Sequence, residues 1–511
     1  MIILKPNLSC KSLSTYLFFY FLLTVCANIE AQNIQVSTSD GVAESAIKVN
    51  PVHPNIIVAG SNFRDSGQGL YYSSDGGMSW SVSSYPSANY SGDPTIDWSS
   101  DGQLAFTAML TNCGGGCELW FLRSGDNGRS WADLPGNPQR VLSSNNVDKE
   151  YLHVDKHRTS PHVDNIYITW TFNGGPAVGR LQFARSLDRG RTWEPTISFT
   201  GDPRGFGSDI TTDAAGNLYY VWHAYEEREI VLKRSTNGGG SFINGTITIA
   251  ETSPTSQQTN GIPIPAQETR RAWIVPSADT DLSDSPYRGS IYVAWSDSYD
   301  AVDVNNPANN HMRVRVARSR NGGLNWQTVT PHPTFDRATV DRWHPWITVD
   351  NRGTVHIVYY DTRRSNNRTG VDLYYSYSRD GAETFSTPVR LTDRTSPNVV
   401  NDNFEFGDYN GADHLPDRVI GIYTDNRSGN SKDIYVAFGP VVPGACTFVD
   451  FGENGPGNGL PNAPFNTVAS GVSATPAGGS ICIESGTSAE TITISKRLTI
   501  ESTGGIVRIG Q

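Results

Sequence analysis

The chain has 511 residues with a formal net charge of -11, 10% aromatic residues, 50 Gly and 29 Pro. This balance suits strands joined by tight turns and leaves no room for a long amphipathic bundle. The acidity excludes a general nucleic-acid binder, which needs a basic footprint to displace counterions from phosphates.

The chain opens with Lys5 and Lys11, an apolar run over residues 16–23, and small residues at Ala27 and Ala31. That order predicts a secretory signal peptide over residues 1–31, its apolar stretch being too short for a membrane span, and so a protein that is secreted or held at the cell surface. Cys10 and Cys26 fall in or beside this leader. In an oxidising compartment the remaining four cysteines predict the disulfides Cys113–Cys117 and Cys446–Cys482. No Cys or His set stands at zinc-ligand spacing.

Six times the chain then writes nearly the same eight residues, Ser-x-Asp-x-Gly-x-Ser/Thr-aromatic, starting at Ser73, Ser124, Ser186, Ser235, Ser319 and Ser378. The third positions are Asp75, Asp126, Asp188, Asn237, Asn321 and Asp380, spaced 51, 62, 49, 84 and 59 residues apart. Self-similarity at tens of residues announces a propeller or another repeat array. Within each copy the Asp or Asn can hold backbone amides, the Gly supplies a backbone angle closed to other residues, and the ring anchors the turn. Alternating apolar runs precede the copies, as at residues 69–72 and 181–184, so each should join two antiparallel strands.

The element resembles the Asp-box, or bacterial neuraminidase repeat, of sialidase-like β-propellers, over about residues 33–439. The resemblance implies the fold; it assigns no reaction, because such boxes are structural turns that also occur in propellers without hydrolytic activity. Second strands are expected at residues 165–170, 217–222, 290–295 and 354–360, giving four-stranded blades. Six such units span residues 41–400. A seventh begins near Phe404, continues through residues 418–423 and 433–438, and lacks a box, so its outer strand is expected from residues 33–38, closing the ring and removing an exposed edge. The expected fold is therefore all-β, a seven-bladed propeller over residues 32–440, with six blades as the alternative that the resemblance favours. Short alternating runs at residues 481–483, 492–494, 498–500 and 507–509 make residues 441–511 resemble the start of a pectate-lyase-like parallel β-helix, a small β-sandwich being the alternative.

If the boxes lie beneath the ring, chemistry belongs on the other face. Aligning the inner strands puts Glu44, Asp93, Lys149, Gly207, Arg271, His344 and Asp408 at the channel mouth in blade order, acids in blades seven, one and two and bases in three, five and six. Such a split ring focuses a field across a concave mouth. An Asp/Asn-x-Arg turn recurs with Arg64, Arg363 and Arg427; converging guanidinium forks bind a carboxylate or sulfate, and Arg342 joins them as a ligand-binding residue. The competing reading is that each Asp caps its own loop and each Arg pairs locally. The sialidase resemblance implies a Tyr nucleophile, an activating Glu and an acid/base Asp, roles open here to Tyr409, Glu405, and Asp93 or Asp65. The chain departs from that family on its first inner strand, where Glu44-Ser45-Ala46-Ile47 replaces an Arg-Ile-Pro motif. Asp279, Asp281 and Asp284 could gather oxygens around calcium, but without the Gly and distal Glu of an EF-hand loop. Two functions remain open: a secreted sialidase-like propeller that binds, or also hydrolyses, extracellular carbohydrate or glycoprotein, and a non-catalytic protein-binding or display propeller.

Overall fold

The computed structural model describes residues 2–4 and 33–510 other than 38–40, 64–66, 86–89, 112–116, 132–133, 143–145, 175–176, 254–260, 399–403, 428–431, 441, 443–445, 456, 458, 460–463, 476–479 and 497. The six Ser-x-Asp turns fold alike. In the first, the Ser73 hydroxyl donates to Asp75 Oδ1 (2.8 Å) and accepts from the Gly77 amide (2.9 Å), while the Asp75 carboxylate accepts from the Ser79 amide and hydroxyl (2.9 and 2.6 Å). The serine bond recurs at the amides of Gly128, Gly190, Gly239, Gly323 and Ala382. The side-chain oxygens of Asp126, Asp188, Asn237, Asn321 and Asp380 likewise accept the amide four residues on. Asn substitutes for Asp because only an acceptor oxygen is required, and Ala382 takes the glycine's left-handed backbone, at φ 59, in spite of its Cβ.

Each turn also packs on the blade before it. A Cβ added at Gly190, whose φ is +77, would overlap the Phe121 ring. Gly190→Ala is therefore expected to lower stability by roughly 2–5 kcal/mol, about 1–2 from the left-handed backbone and about 1–3 from overpacking. The shift in the urea midpoint measures it; a change below about 0.5 kcal/mol would mean that the turn does not bear on its neighbour.

Seven sheets of four antiparallel strands follow one another along the chain. Their inner strands are Val42–Val49, Tyr90–Trp98, Val147–Val154, Gly205–Thr212, Ser277–Thr280, Arg342–Val349 and Gly411–His414. Each packs against the next and the seventh against the first, so the sheets circle one axis. The seven-bladed propeller is borne out and the six-bladed alternative is not. The seventh blade takes its outer strand from Ile34–Gln35, which pairs with Val436 and Tyr435. Register separates the two faces: Ala43 pairs with Asn62 and Asn62 with Gln68 at one end of the first blade, while Ile57 pairs with Ser73 at the other. The Asp turns therefore lie at the end away from where the inner strands begin.

One element was not expected. Between blades four and five the chain forms a hairpin of Gly261–Ile264 and Gln267–Trp273. Arg271 lies on this hairpin and not on the inner strand of blade five, which corrects its expected place.

Residues 440–511, with 416–418 and the chain start, form a separate compact unit. Cys446–Val449, Ser480–Ser488 and Thr499–Ile509 pair in parallel, and Ile2–Leu4 adds antiparallel to the last. Helix Val468–Ala474, capped by the Thr467 side chain, precedes the second strand, and Phe465, Val468, Ile481, Ile483, Val507 and Ile509 fill the core. The run at residues 492–494, expected as a strand, is irregular. Cys117 and Cys482 are each engaged in a disulfide; their expected partners Cys113 and the Cys446 side chain and, beyond residues 2–4, the expected signal peptide lie outside the described residues. No helix among the described residues is long and apolar enough to cross a membrane.

Candidate functional site

Five inner strands slip register by a bulge at the end away from the Asp turns: between Ala43 and Ser45, Ser91 and Thr95, Asp148 and Tyr151, Phe206 and Ser208, and Trp343 and Trp346. Glu44 (φ 53), Lys149 (φ 51), Gly207 (φ 68) and His344 (φ 48) adopt the left-handed conformation there, and Arg271 (φ 69) does so on the hairpin. For a residue with a Cβ this costs about 1–2 kcal/mol. Bulges re-aim side chains, and strain of this kind gathers where a geometry is imposed. Here it brings charged groups from blades one, two, three and seven into one cluster.

The cluster is built on a residue the alignment passed over. Arg270, on the hairpin, donates from Nη2 to Glu44 Oε1 (2.9 Å) and, through Nε and Nη2, to both oxygens of Asp408 (2.7 and 2.5 Å). Glu405 fixes the hairpin: its carboxylate accepts the amides of Glu268, Thr269 and Arg270 (3.2, 3.1 and 3.0 Å). Glu44 also accepts from Asn62 Nδ2 (2.9 Å) and shares a hydrogen bond with Asp93. Lys149 Nζ stands 4.0 Å from Asp93 Oδ2 and 3.1 Å from the centroid of the Tyr409 ring.

This crowding splits the carboxyls into two states. Burial pushes Glu44 up, but Arg270 first, then the Asn62 and Asp93 hydrogen bonds and Lys149, hold it below the ordinary range. Asp93 is raised well above that range by burial, and then by the Glu44 charge, against the pull of Lys149. Burial and Glu44 push Asp408 up to about 8 in spite of Arg270. Glu150, beside Lys149 on the same strand, is driven well above by burial and then by Asp93. His344 is held neutral by burial and by Arg270 and Lys149. The Tyr409 phenol is pushed well above its usual value by burial and the surrounding carboxylates, and its hydroxyl has no partner among the described residues. Tyr409 with Glu405 is thus not an activated nucleophile pair: the Glu405 oxygens are engaged by backbone amides and the phenol is held protonated.

Two arginines of the expected clamp are held by local carboxylates. Arg363 folds back on Asp361 (Nε 3.0 Å, Nη2 2.6 Å) with its guanidinium 4.0 Å from the Tyr374 ring centroid. Arg427 does the same on Asp425 (2.9 and 2.7 Å), adds Asp393 at 2.8 Å, and stacks 4.1 Å from Tyr435. Arg342 is fully buried between Asp361 and Asp336. For Arg363 and Arg427 an Asp two residues earlier supplies the local partner; Arg64 and Asp65 lie outside the described residues. Arg271 differs in keeping Nη1 buried without a partner among the described residues.

Further along the inner strands a second ring escaped the sequence reading. Asp97, Asp209, Asp279 and Asp413 each accept a backbone amide from the following blade, those of Val154 (2.9 Å), Ala278 (2.6 Å), Val349 (2.8 Å) and Val49 (2.7 Å). Charge-assisted bonds of this kind contribute about 1.5–3 kcal/mol each. Burial would lower the Lys48 ammonium, but Asp413, Asp97, Asp279 and Asp209 raise it above its ordinary value, so Lys48 is their common countercharge. The calcium reading fails here for a geometric reason. Asp279 faces this ring, Asp281 accepts the hydroxyls of Ser283 and Ser285, and Asp284 pairs with Arg288, so the three carboxylates point to different partners. Among the described residues no His, Cys, Asp and Glu group could hold a metal ion.

No family model and no curated protein matches the chain. Among solved structures it is similar to a lectin from Burkholderia pseudomallei, at 12% identity over 79% of this chain and 99% of that one (TM-score 0.48). It is also similar to an ulvan lyase, at 11% identity over 80% and 96% (TM-score 0.48), and to the NanB sialidase from Streptococcus pneumoniae, at 11% over 80% and 70% (TM-score 0.38).

Proposed function

We propose that the protein is an exported propeller that binds a glycan at the bulged mouth, with Asp93 and Glu44 as an acid pair able to serve hydrolysis. Export rests on the order of residues 1–31. The site reading is carried by one observation: around the charged network, both His344 ring nitrogens, the Tyr409 hydroxyl and the Asn410 Oδ1 are buried with no hydrogen-bond partner among the described residues. Buried polar groups are normally satisfied, and donors and acceptors left over in one place fit a ligand dense in hydroxyls. In the hydrolytic step Asp93 gives its proton to the bridging oxygen as the bond to the anomeric carbon breaks. Glu44 steadies the positive charge that develops there, and a water adds to that carbon, its proton returning to the carboxyl pair. Arg270, Arg342, Arg363 and Arg427 are each already paired with carboxylates, so none of these four is free for an acidic sugar.

Calorimetric titration of a neutral oligosaccharide panel, with reducing-end release followed in parallel, tests this reading. Glu44→Gln is expected to weaken binding at least tenfold, the loss of one charged hydrogen bond of about 1.4 kcal/mol, and Asp93→Asn to slow any hydrolysis by about 100-fold or more. A correctly folded unmodified protein that binds none of the panel overturns the proposal.

A further inference from the structure

We infer that Phe206 and Trp273 form a stacking platform that seats the C–H face of a neutral, gluco-configured pyranose at the mouth; this rests on the glycan reading above. The two rings come from separate elements, the start of the fourth inner strand and the end of the hairpin, and meet with centroids 5.0 Å apart and planes inclined by 42°. Both are half-buried. Among the described residues neither joins the apolar clusters that fill the blades, nor the side chains packed against those clusters. Trp222, on the strand beside Phe206, is by contrast fully buried. Two large rings that contact each other outside the core keep apolar area in water, area whose burial is worth about 25 cal/mol per Å² to whatever covers it.

Local structure fixes both rings. Gly205 and Gly207 flank Phe206: a Cβ at the first would overlap Trp222, and one at the second, whose φ is +68, would overlap Val275, so the strand lies close on its neighbours and presents a side chain only at Phe206. The bulge between Phe206 and Ser208 turns the strand at the same place. The Trp273 indole Nε1 donates to Arg270 O (3.2 Å). Arg270 is the residue that pairs with Glu44 and Asp408, and Glu405 accepts its amide, so one strand of the hairpin carries the anchor of the charged cluster and, three residues on, half of the platform.

A pyranose is amphipathic, with hydroxyls at its edge and C–H groups on its faces. In the gluco configuration every ring substituent is equatorial, so both faces are bare of hydroxyls. The negative face of an aromatic ring attracts those weakly positive hydrogens and shares their release of water, while it offers nothing to an anionic group. Stacking on the platform leaves the hydroxyl edge for the polar groups of the mouth, the division of labour of sites with an aromatic wall and a few orienting polar groups.

Cellotetraose, added to the full chain, tests this by calorimetry, tryptophan fluorescence and saturation-transfer NMR. In the unmodified protein saturation is expected mainly on the axial protons of one ring face, with a change in tryptophan emission. Trp273→Ala and Phe206→Ala, of unaltered circular dichroism, are each expected to weaken binding about fivefold or more, the loss of one aromatic contact. Trp273→Phe, which keeps a ring, should bind within about threefold of the parent and lose the emission change. Folded alanine variants that bind like the parent, an emission change that persists in Trp273→Phe, or binding of other neutral oligosaccharides but not of cellotetraose would overturn the inference and leave the glycan reading standing. So would self-association of the parent that Trp273→Ala abolishes, by making the pair a contact between copies. Should the alanine variants fail to fold, the facial saturation and the Trp273→Phe emission decide. Binding of no neutral oligosaccharide overturns both readings.

Discussion

Deleting residues 33–37 is expected to abolish the single cooperative unfolding transition of the propeller. Ile34 and Gln35 form the outer strand of blade seven, and the Val36 amide donates to Ile434 O at 2.8 Å. Val36 is 2% exposed and belongs to the core shared by blades one and seven, which contributes about 1.5–3 kcal/mol. Asn33 adds a junction of its own. Its Nδ2 donates to Leu391 O (2.9 Å), and its Oδ1 accepts from the Asp393 amide (2.7 Å), Tyr423 Oη (3.0 Å) and Arg427 Nη2 (3.2 Å). Ser37 exchanges bonds with Asp433 and the Ile434 amide (3.1 and 3.0 Å). Losing these together removes a large part of the roughly 5–15 kcal/mol that a folded protein holds in reserve, and it bares a strand edge. Calorimetry should show a broad, lowered transition and size-exclusion chromatography should show association through the bared edge. A deletion variant that melts like the parent would show that the ring closes without its first strand. Asn33→Ala alone is expected to cost about 2–4 kcal/mol, since it strands several buried partners.

Arg270→Met should destabilise the protein by about 3–5 kcal/mol at neutral pH, because it leaves the Glu44 carboxylate buried without its countercharge and the Asp408 carboxyl without its hydrogen-bond donor. The two carboxylates are 1% and 6% exposed at the side chain, against 27% for Arg270, so water compensates little. The sign of the pH dependence follows from the groups released. With the guanidinium gone, both carboxyls hold their protons to higher pH in the folded chain than in the unfolded one, where they ionise near 4. The variant is therefore penalised least below about pH 4 and increasingly as pH rises, through and beyond the value of about 8 at which Asp408 titrates in the parent. Urea unfolding of parent and variant at pH 5 and pH 9 checks this: a stability difference that is equal at the two pH values would show that Arg270 does not hold the two acids in their charge states. Partial rescue by combining Arg270→Met with Asp408→Asn distinguishes lost pairing from lost packing.

The turn chemistry carried most of the fold. Ser, Asp or Asn, and Gly at fixed offsets close a hairpin through bonds spanning four residues, so nothing distant is needed to form it, and six copies imply a ring. The closing strand was legible for a related reason: blade seven ends one strand short, and the alternating residues 33–38 are the piece of matching type. The extra hairpin before blade five was not legible, because its strands are short and pair only with each other. With it went Arg270, one residue away from the Arg271 that the alignment placed in the ring.

The arginine turns show the opposite failure. Arg64, Arg363 and Arg427 share a spacing that could converge on an anion or fold back on the local Asp, and residue order does not distinguish the two. For Arg363 and Arg427 the fold decides, through Asp361 and Asp425 at 2.6 and 2.7 Å and the Tyr374 and Tyr435 rings that receive the guanidinium faces.

What the sequence alone determined is the hairpin turns and the alternation of the strands, set by interactions between residues close along the chain, and, by the count of strands, the segment that completes the last blade. What only the tertiary structure decided is which charges meet. Glu44, Asp93, Lys149, Arg270 and Asp408 come from well-separated segments and are brought together by left-handed bulges and one inserted hairpin. Their protonation states follow from that shared burial, a property no single segment carries.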